Sequence, residues 1–281
     1  MLIDAVRAEL WRFFHNTVAV FWGLLFIPVS SFIVGIFWRT YLDSKIMSVR
    51  DSLPSNLLGP PSVNIGNKIT EKAAILAEPG LMVFFIIAAA AVFATDYRWE
   101  TWRLVRARNS RENLIIGKIL AVAALALIAM LSLLLAEAAG HIVSAVIEQN
   151  KIIIGFKLDQ FGATLVMILI AWIRIVQFAM LSLAVALLTR SLAAAIIVPI
   201  ALGVGAFMLQ KMSGYFGWHP TDWSTMLAFP PAAYDEIQSA LLGAQIGKPI
   251  LVRAATGLLI WLAMPIAFAL WFFPQQDLSK E

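Results

Sequence analysis

Six apolar stretches, near residues 17–38, 79–95, 114–139, 161–189, 191–210 and 254–273, alternate with segments that hold most of the charge. Each is close to the ~20 residues a helix needs to cross ~30 Å of hydrocarbon. An open strand edge would leave backbone N–H and C=O groups unpaired in lipid, so the pattern predicts an all-α integral membrane protein with six transmembrane helices. Ahead of them, residues 1–15 have a different period. At 100° per residue Leu2, Ile3, Val6, Leu10, Phe13 and Phe14 share one arc, whereas Asp4, Arg7 and Arg12 lie elsewhere. This predicts an amphipathic helix lying in the membrane interface, with Arg7 and Arg12 toward anionic headgroups and Trp11 at the boundary. A short helix packed on a neighbour satisfies the same pattern.

Composition agrees with the spans: of 281 residues 61% are hydrophobic, 14% are charged, and mean hydropathy is +0.84. The absence of cysteine excludes disulfides and thiolate metal sites. A net charge of +4 on such a chain speaks for orientation and headgroup contact, not for nucleic acid. The first apolar run is too long for a signal-peptide core, and "FWRTYLDS" offers no small-residue cleavage site, so it is expected to stay in the mature protein. Pro28, Pro199 and Pro265 fall inside spans, where packed kinks are tolerated.

An even number of spans puts both termini on one side. Ten basic residues fall on each side, but those on the terminal side occupy far less chain, and eight of them are Arg against three opposite. The terminal side is therefore expected to be cytoplasmic. Its densest charge is residues 96–118, "DYRWETWRLVRARNSRENLIIGK", where six basic residues face three acidic ones. Orientation alone explains Arg98, Arg103, Arg106, Arg108, Arg111 and Lys118. Trp99 and Trp102 add the Trp/Arg texture of a protein-docking surface.

"TDYRWETWRLVRARNSRENLIIGKIL" resembles the loop between the second and third spans of ABC-2-type transporter permeases. Asp96 takes the acidic place of that loop, Thr101 the threonine, Arg103 the basic residue, Ser110-Arg111 the Ser-Arg and Gly117-Lys118 the Gly-Lys. Glu100 stands where the family has Gly, and there is no Pro near Asn109. The wider layout is also similar: an interfacial N-terminal helix, six spans, a long first outer loop and a very short connection at Thr189–Ser191. The resemblance implies one transmembrane permease domain, residues 1–281, in an exporter of a bacterial cell inner membrane. It implies a second permease half, as homodimer or heterodimer, and two cytoplasmic ATPases that bind ATP and Mg. Residues 96–113, with Asp96, Arg98, Trp99, Glu100, Thr101, Trp102, Arg103 and Arg111, would couple to the ATPase together with Arg7 and Arg12.

The chain itself carries no P-loop. "GAQIGKP" at 243–249 is one residue short of the phosphate-wrapping spacing and has Pro249 where the Mg-binding hydroxyl belongs. No H-E-x-x-H or G-x-S-x-G occurs, and His15, His141 and His219 are scattered, so neither an enzyme, a metal site nor a cofactor of its own is expected. Within the spans the ionised residues are read as Arg174 and Glu137. Arg174, with Gln177 one turn on, either faces a translocation path or dimer interface or locks two helices. Glu137 and His141, four apart, are placed to pair, whereas a Glu137–Arg174 bridge is disfavoured by depth. Residues 213–250 read as an outer re-entrant or interfacial segment, and 39–78 as a loop. The alternative to the permease is an ATP-independent secondary transporter or membrane scaffold.

Overall fold

The computed structural model describes residues 2–50, 62–77, 79–98, 110–156, 158–219 and 221–276; for 43–50, 95, 98 and 159 it describes the backbone. Helix α1 is Leu2–His15. Asn16 then accepts a hydrogen bond from the Ala19 amide and caps α2, which runs as Thr17–Val20, a π-helical stretch Phe21–Leu25 and Phe26–Arg50. The π stretch has a local cause. Pro28 lacks an N–H and its ring would press on the carbonyl of residue 24, and the wider turn just before it relieves both problems.

Strand β1 (Ser62–Asn64) leads into α3 (Ile65–Ala74) and α4 (Pro79–Arg98), whose axes meet at 68°. Then follow α5 (Arg111–Ile147), β2 (Lys151–Ile153), α6 (Leu158–Thr189) and α7 (Leu192–Met212). A 3-10 turn (Ser213–Phe216), short helices α8 (Trp223–Ala228) and α9 (Pro230–Leu241), and α10 (Lys248–Phe272) complete the order. β1 and β2 pair in parallel, Ser62 opposite Lys151 and Asn64 opposite Ile153. Among the described residues five helices are long and apolar enough to cross a membrane, six if the bent pair α3–α4 counts as one span.

The expected bounds at 39–78, at the third span and at Asp96 need correction. Residues 39–78 are not simply a loop: α2 continues to Arg50, and β1 and α3 follow. The third span is longer than 114–139, since Ser110 caps it by accepting from the Asn113 amide and the helix continues to Ile147. Asp96 belongs to the last turns of α4, not to a loop. Segment 213–250 folds as short helices seated on α6 and α10. There Trp261 donates to the Leu227 carbonyl, and Gln238 and Tyr234 donate to Ala74, covering the open end of α3 at the bend.

The core lies along α4, α5 and α6, whose inner faces carry Phe85, Phe93, Leu125, Met130, Met167 and Ile175 at almost no exposure. Small residues bring the helices close. A Cβ on Gly117 of α5 would stand 2.9 Å from the Ala5 side chain of α1. We predict that Gly117→Val lowers the melting temperature by pushing α1 off α5, because overpacking at a tight site costs ~1–3 kcal/mol. Gly162→Ala, which has open space around it, should not. Equal melting of the two variants in detergent would contradict the close approach.

Candidate functional site

At the end that holds α1 and Gln276, four charged side chains from three helices converge. The i, i+4 spacing of Ala5, Glu9 and Phe13 puts them on the buried face of α1. Glu9 is thus carried inward with two apolar neighbours and is 7% exposed. Asp96 sits in the final turns of α4, where the helix dipole is unfavourable to an acid, and is 4% exposed. Lys118 of α5, 2% exposed, answers both: its Nζ lies 2.7 Å from Asp96 Oδ2 and 3.0 Å from Glu9 Oε2, and it donates to the Val92 carbonyl at 2.7 Å. Arg12 closes the group from the half-exposed side, with Nη1 3.2 Å from Glu9 Oε1 and 3.4 Å from Asp96 Oδ1. Two cations and two carboxylates leave no net charge in the cluster.

The same end is tied to the C-terminal helix. Arg111 donates through Nη1 to the carbonyls of Pro274 (2.5 Å) and Gln276 (2.9 Å). The Tyr97 hydroxyl donates to Gln276 Oε1 at 2.7 Å, and Gln276 Nε2 donates to the Leu187 carbonyl at 2.6 Å. The Tyr97 phenol is buried and serves as a neutral donor. Between α6 and α7 the turn is set by Arg190 in the left-handed region (φ 53°) and by Ser191, which caps α7.

Of the residues read from sequence as coupling groups, Asp96 and Arg12 meet in the cluster, and Arg111 holds the end of α10. Arg7 is exposed on α1. Arg98 is described as a backbone position of α4, and Trp99, Glu100, Thr101, Trp102 and Arg103 lie outside the described residues. On α1 Ile3, Trp11 and Phe14 are exposed, so the apolar arc only partly faces protein. Polarity along the chain does not single out Glu9, and orientation and the Gly-Lys resemblance account for Lys118 without giving it a contact. The available signals were an acid in register with Ala5 and Phe13, and a lysine four residues inside an apolar run.

At the opposite end Glu137 joins three other side chains instead of pairing with His141. Its Oε2 lies 2.6 Å from Arg39 Nη2, and its Oε1 lies 2.9 Å from Lys72 Nζ and accepts from Ser31 at 2.5 Å. Glu137 is therefore a lock between α2, α3 and α5.

Arg174 lies in α6, away from Glu137, and faces α9. Its Nη1 is 3.7 Å from Asp235 Oδ1, its guanidinium carbon is 4.4 Å from the Tyr234 ring centre, and its buried Nε has no hydrogen-bond partner among the described residues. One turn on, Gln177 donates to the Leu258 carbonyl at 2.5 Å and joins α6 to α10. Arg174 also borders an otherwise apolar cavity of about 240 Å³ between α4, α6 and α7. Among the described residues no group of three metal-ligating side chains occurs. Compared with known protein families, curated proteins and solved structures, the chain matches none.

We predict that Lys118→Met, which strands Glu9 and Asp96 together, destabilises the protein by ~3–5 kcal/mol. Amide hydrogen exchange in residues 2–15 should then accelerate. Lys118→Met combined with Glu9→Gln and Asp96→Asn, free of buried charge, should recover most of the stability. A single variant as stable and as protected as wild type would show that the cluster does not hold α1.

Proposed function

We propose that the chain is the membrane-spanning subunit of a transporter whose ATP hydrolysis takes place in a separate cytoplasmic ATPase, and that its substrate is exported. The observation that carries this reading is the buried cluster of Glu9, Asp96, Lys118 and Arg12. It fastens α1 to the ends of α4 and α5, and these same ends flank the Trp/Arg-rich segment that resembles the ATPase-docking loop of ABC-2-type permeases. A force applied to that segment or to α1 would move both helices together, because a buried, mutually neutralised ion cluster breaks only at a cost of several kcal/mol.

The termini lie on the cytoplasmic side in this reading, with α1 at the headgroups of a bacterial inner membrane. Exposed Ile3, Trp11 and Phe14 suit that position. A second permease half completes the transporter. An ATP-independent secondary transporter fits less well, since Glu137, Lys118 and Asp96 are held by opposite charges that fix helices in place.

The test is co-purification with a candidate cytoplasmic ABC ATPase expressed together with the chain, and ATP hydrolysis by the pair in proteoliposomes. Wild type should co-elute with the ATPase and stimulate it. Trp99→Ala with Trp102→Ala should reduce assembly at least about tenfold, since interface aromatics that act as anchors contribute ~2 kcal/mol or more each. The charge is unchanged, so topology is undisturbed. Arg111 is unsuited to this experiment because it holds Pro274 and Gln276. Failure of wild type to bind the ATPase, or full binding by the double variant, would overturn the docking assignment.

A further inference from the structure

The cavity beside Arg174 has a chemical signature of its own. Met82 and Ile86 of α4, Phe178 of α6, and Gly203 and Phe207 of α7 line it, and among the described lining residues Arg174 is the one that is ionised. The guanidinium is not saturated. Asp235 lies at 3.7 Å, beyond a good charge-assisted hydrogen bond, and Asp235 Oδ2 also accepts from Gln210 Nε2 at 3.1 Å. Among the described residues Arg174 Nε has no hydrogen-bond partner, although the side chain is only 11% exposed. A buried guanidinium edge without an acceptor is costly, and an incoming anion would relieve it.

The cavity opens sideways. Val204, Phe207 and Met208 both line it and lie exposed on α7, where Ile197 and Leu202 also project. The way in is therefore across an apolar helix face. In a bilayer that face meets acyl chains, so a ligand arriving by this route comes from the membrane. An inorganic anion would gain the Arg174 contact but leave the apolar walls unmatched. An uncharged hydrocarbon would match the walls and leave Nε unpaired.

We propose that this cavity binds an anionic amphiphile drawn from the bilayer, with one acyl segment between α4, α6 and α7 and its negatively charged head, carboxylate or phosphate, on Arg174. The site rests on the membrane-spanning reading of the helices and is independent of ATPase docking. Its wall is set by Gly203: a Cβ there would stand 2.8 Å from the Phe178 ring, so a larger side chain would push that ring and fill the space. Arg174 supplies the charge and Gly203 the room for the tail.

The test reads binding alone. Protein in phosphatidylcholine nanodiscs is exposed in one arm to phosphatidylglycerol and in the other to oleate, and native mass spectrometry counts what stays bound. Wild type should retain at least one of the two in preference to phosphatidylcholine. Retention in the first arm identifies a phospholipid, and retention in the second a free fatty acid.

Arg174→Gln should lower affinity for the retained amphiphile about 10- to 100-fold, the range expected for a lost hydrogen bond to a charged group. Arg174→Lys should keep part of it. Asp235 is half-exposed and keeps Gln210, so neither change buries a lone carboxylate. Gly203→Leu keeps the charge and should weaken binding by occupying the tail space, which tests the site even if an Arg174 variant folds poorly. Equal retention of phosphatidylcholine and the anionic amphiphiles by wild type would overturn the proposal, and so would undiminished binding by Gly203→Leu. Loss of ATPase co-purification in the Trp99/Trp102 variant would leave this measurement unchanged.

Discussion

The arrangement of the terminal end depends on the burial of one ammonium group, Lys118 Nζ, between the carboxylates of Glu9 and Asp96. None of the three would be stable there alone, since an unpaired charge out of water costs several kcal/mol even after relaxation. Together they require α1, α4 and α5 to come within hydrogen-bonding distance of one point. Gly117, the residue beside Lys118, removes the side chain that would otherwise hold α1 away. The Gly-Lys pair thus works as a unit, with the glycine allowing the approach and the lysine fixing it. Arg111 and Tyr97 extend the same junction to Gln276 and the end of α10.

The two ends of the molecule are held by similar means for different purposes. Opposite the termini, Glu137 gathers Ser31, Arg39 and Lys72 and so fixes the long first connection against α5. Between these locks the bundle is apolar, and Arg174 stands out because its partners are loose. A tightly satisfied ion cluster suits a part that must move as one piece. A guanidinium with an unpartnered edge beside a cavity suits a part that receives something.

Much of the helical framework was legible in the sequence, because lipid-length apolar runs leave few alternatives to helix. The ends of the elements were less legible. Asp96 reads as loop charge by composition, yet α4 continues through it because Lys118 and Arg12 offset its unfavourable place at a helix C-terminus. Residues 62–74 look like loop by their polar content, but β1 pairs with β2, nearly ninety positions away in the chain, and no local pattern reveals such a partner. Of the site residues, Arg174 was visible as a charge at mid-span. Asp235 and Tyr234 were not, because they come from a short helix whose place on α6 is a tertiary fact. Glu9 borders the apolar arc on a helical wheel, and polarity alone gives no sign that such a carboxylate turns inward; the lysine that receives it lies more than a hundred residues away in the chain.

On the proposed function, α1 and α5 move as one body when a partner ATPase turns over. The chain has no cysteine, so spin labels can be placed at Arg7→Cys and Glu112→Cys, both exposed positions on these two helices. Their separation should be measured by pulsed electron paramagnetic resonance in the assembled transporter, nucleotide-free and with ATP trapped. A single narrow distance distribution, unchanged between the two states, is the predicted result. A distribution that shifts or splits on ATP binding, with α1 swinging independently of α5, would contradict it.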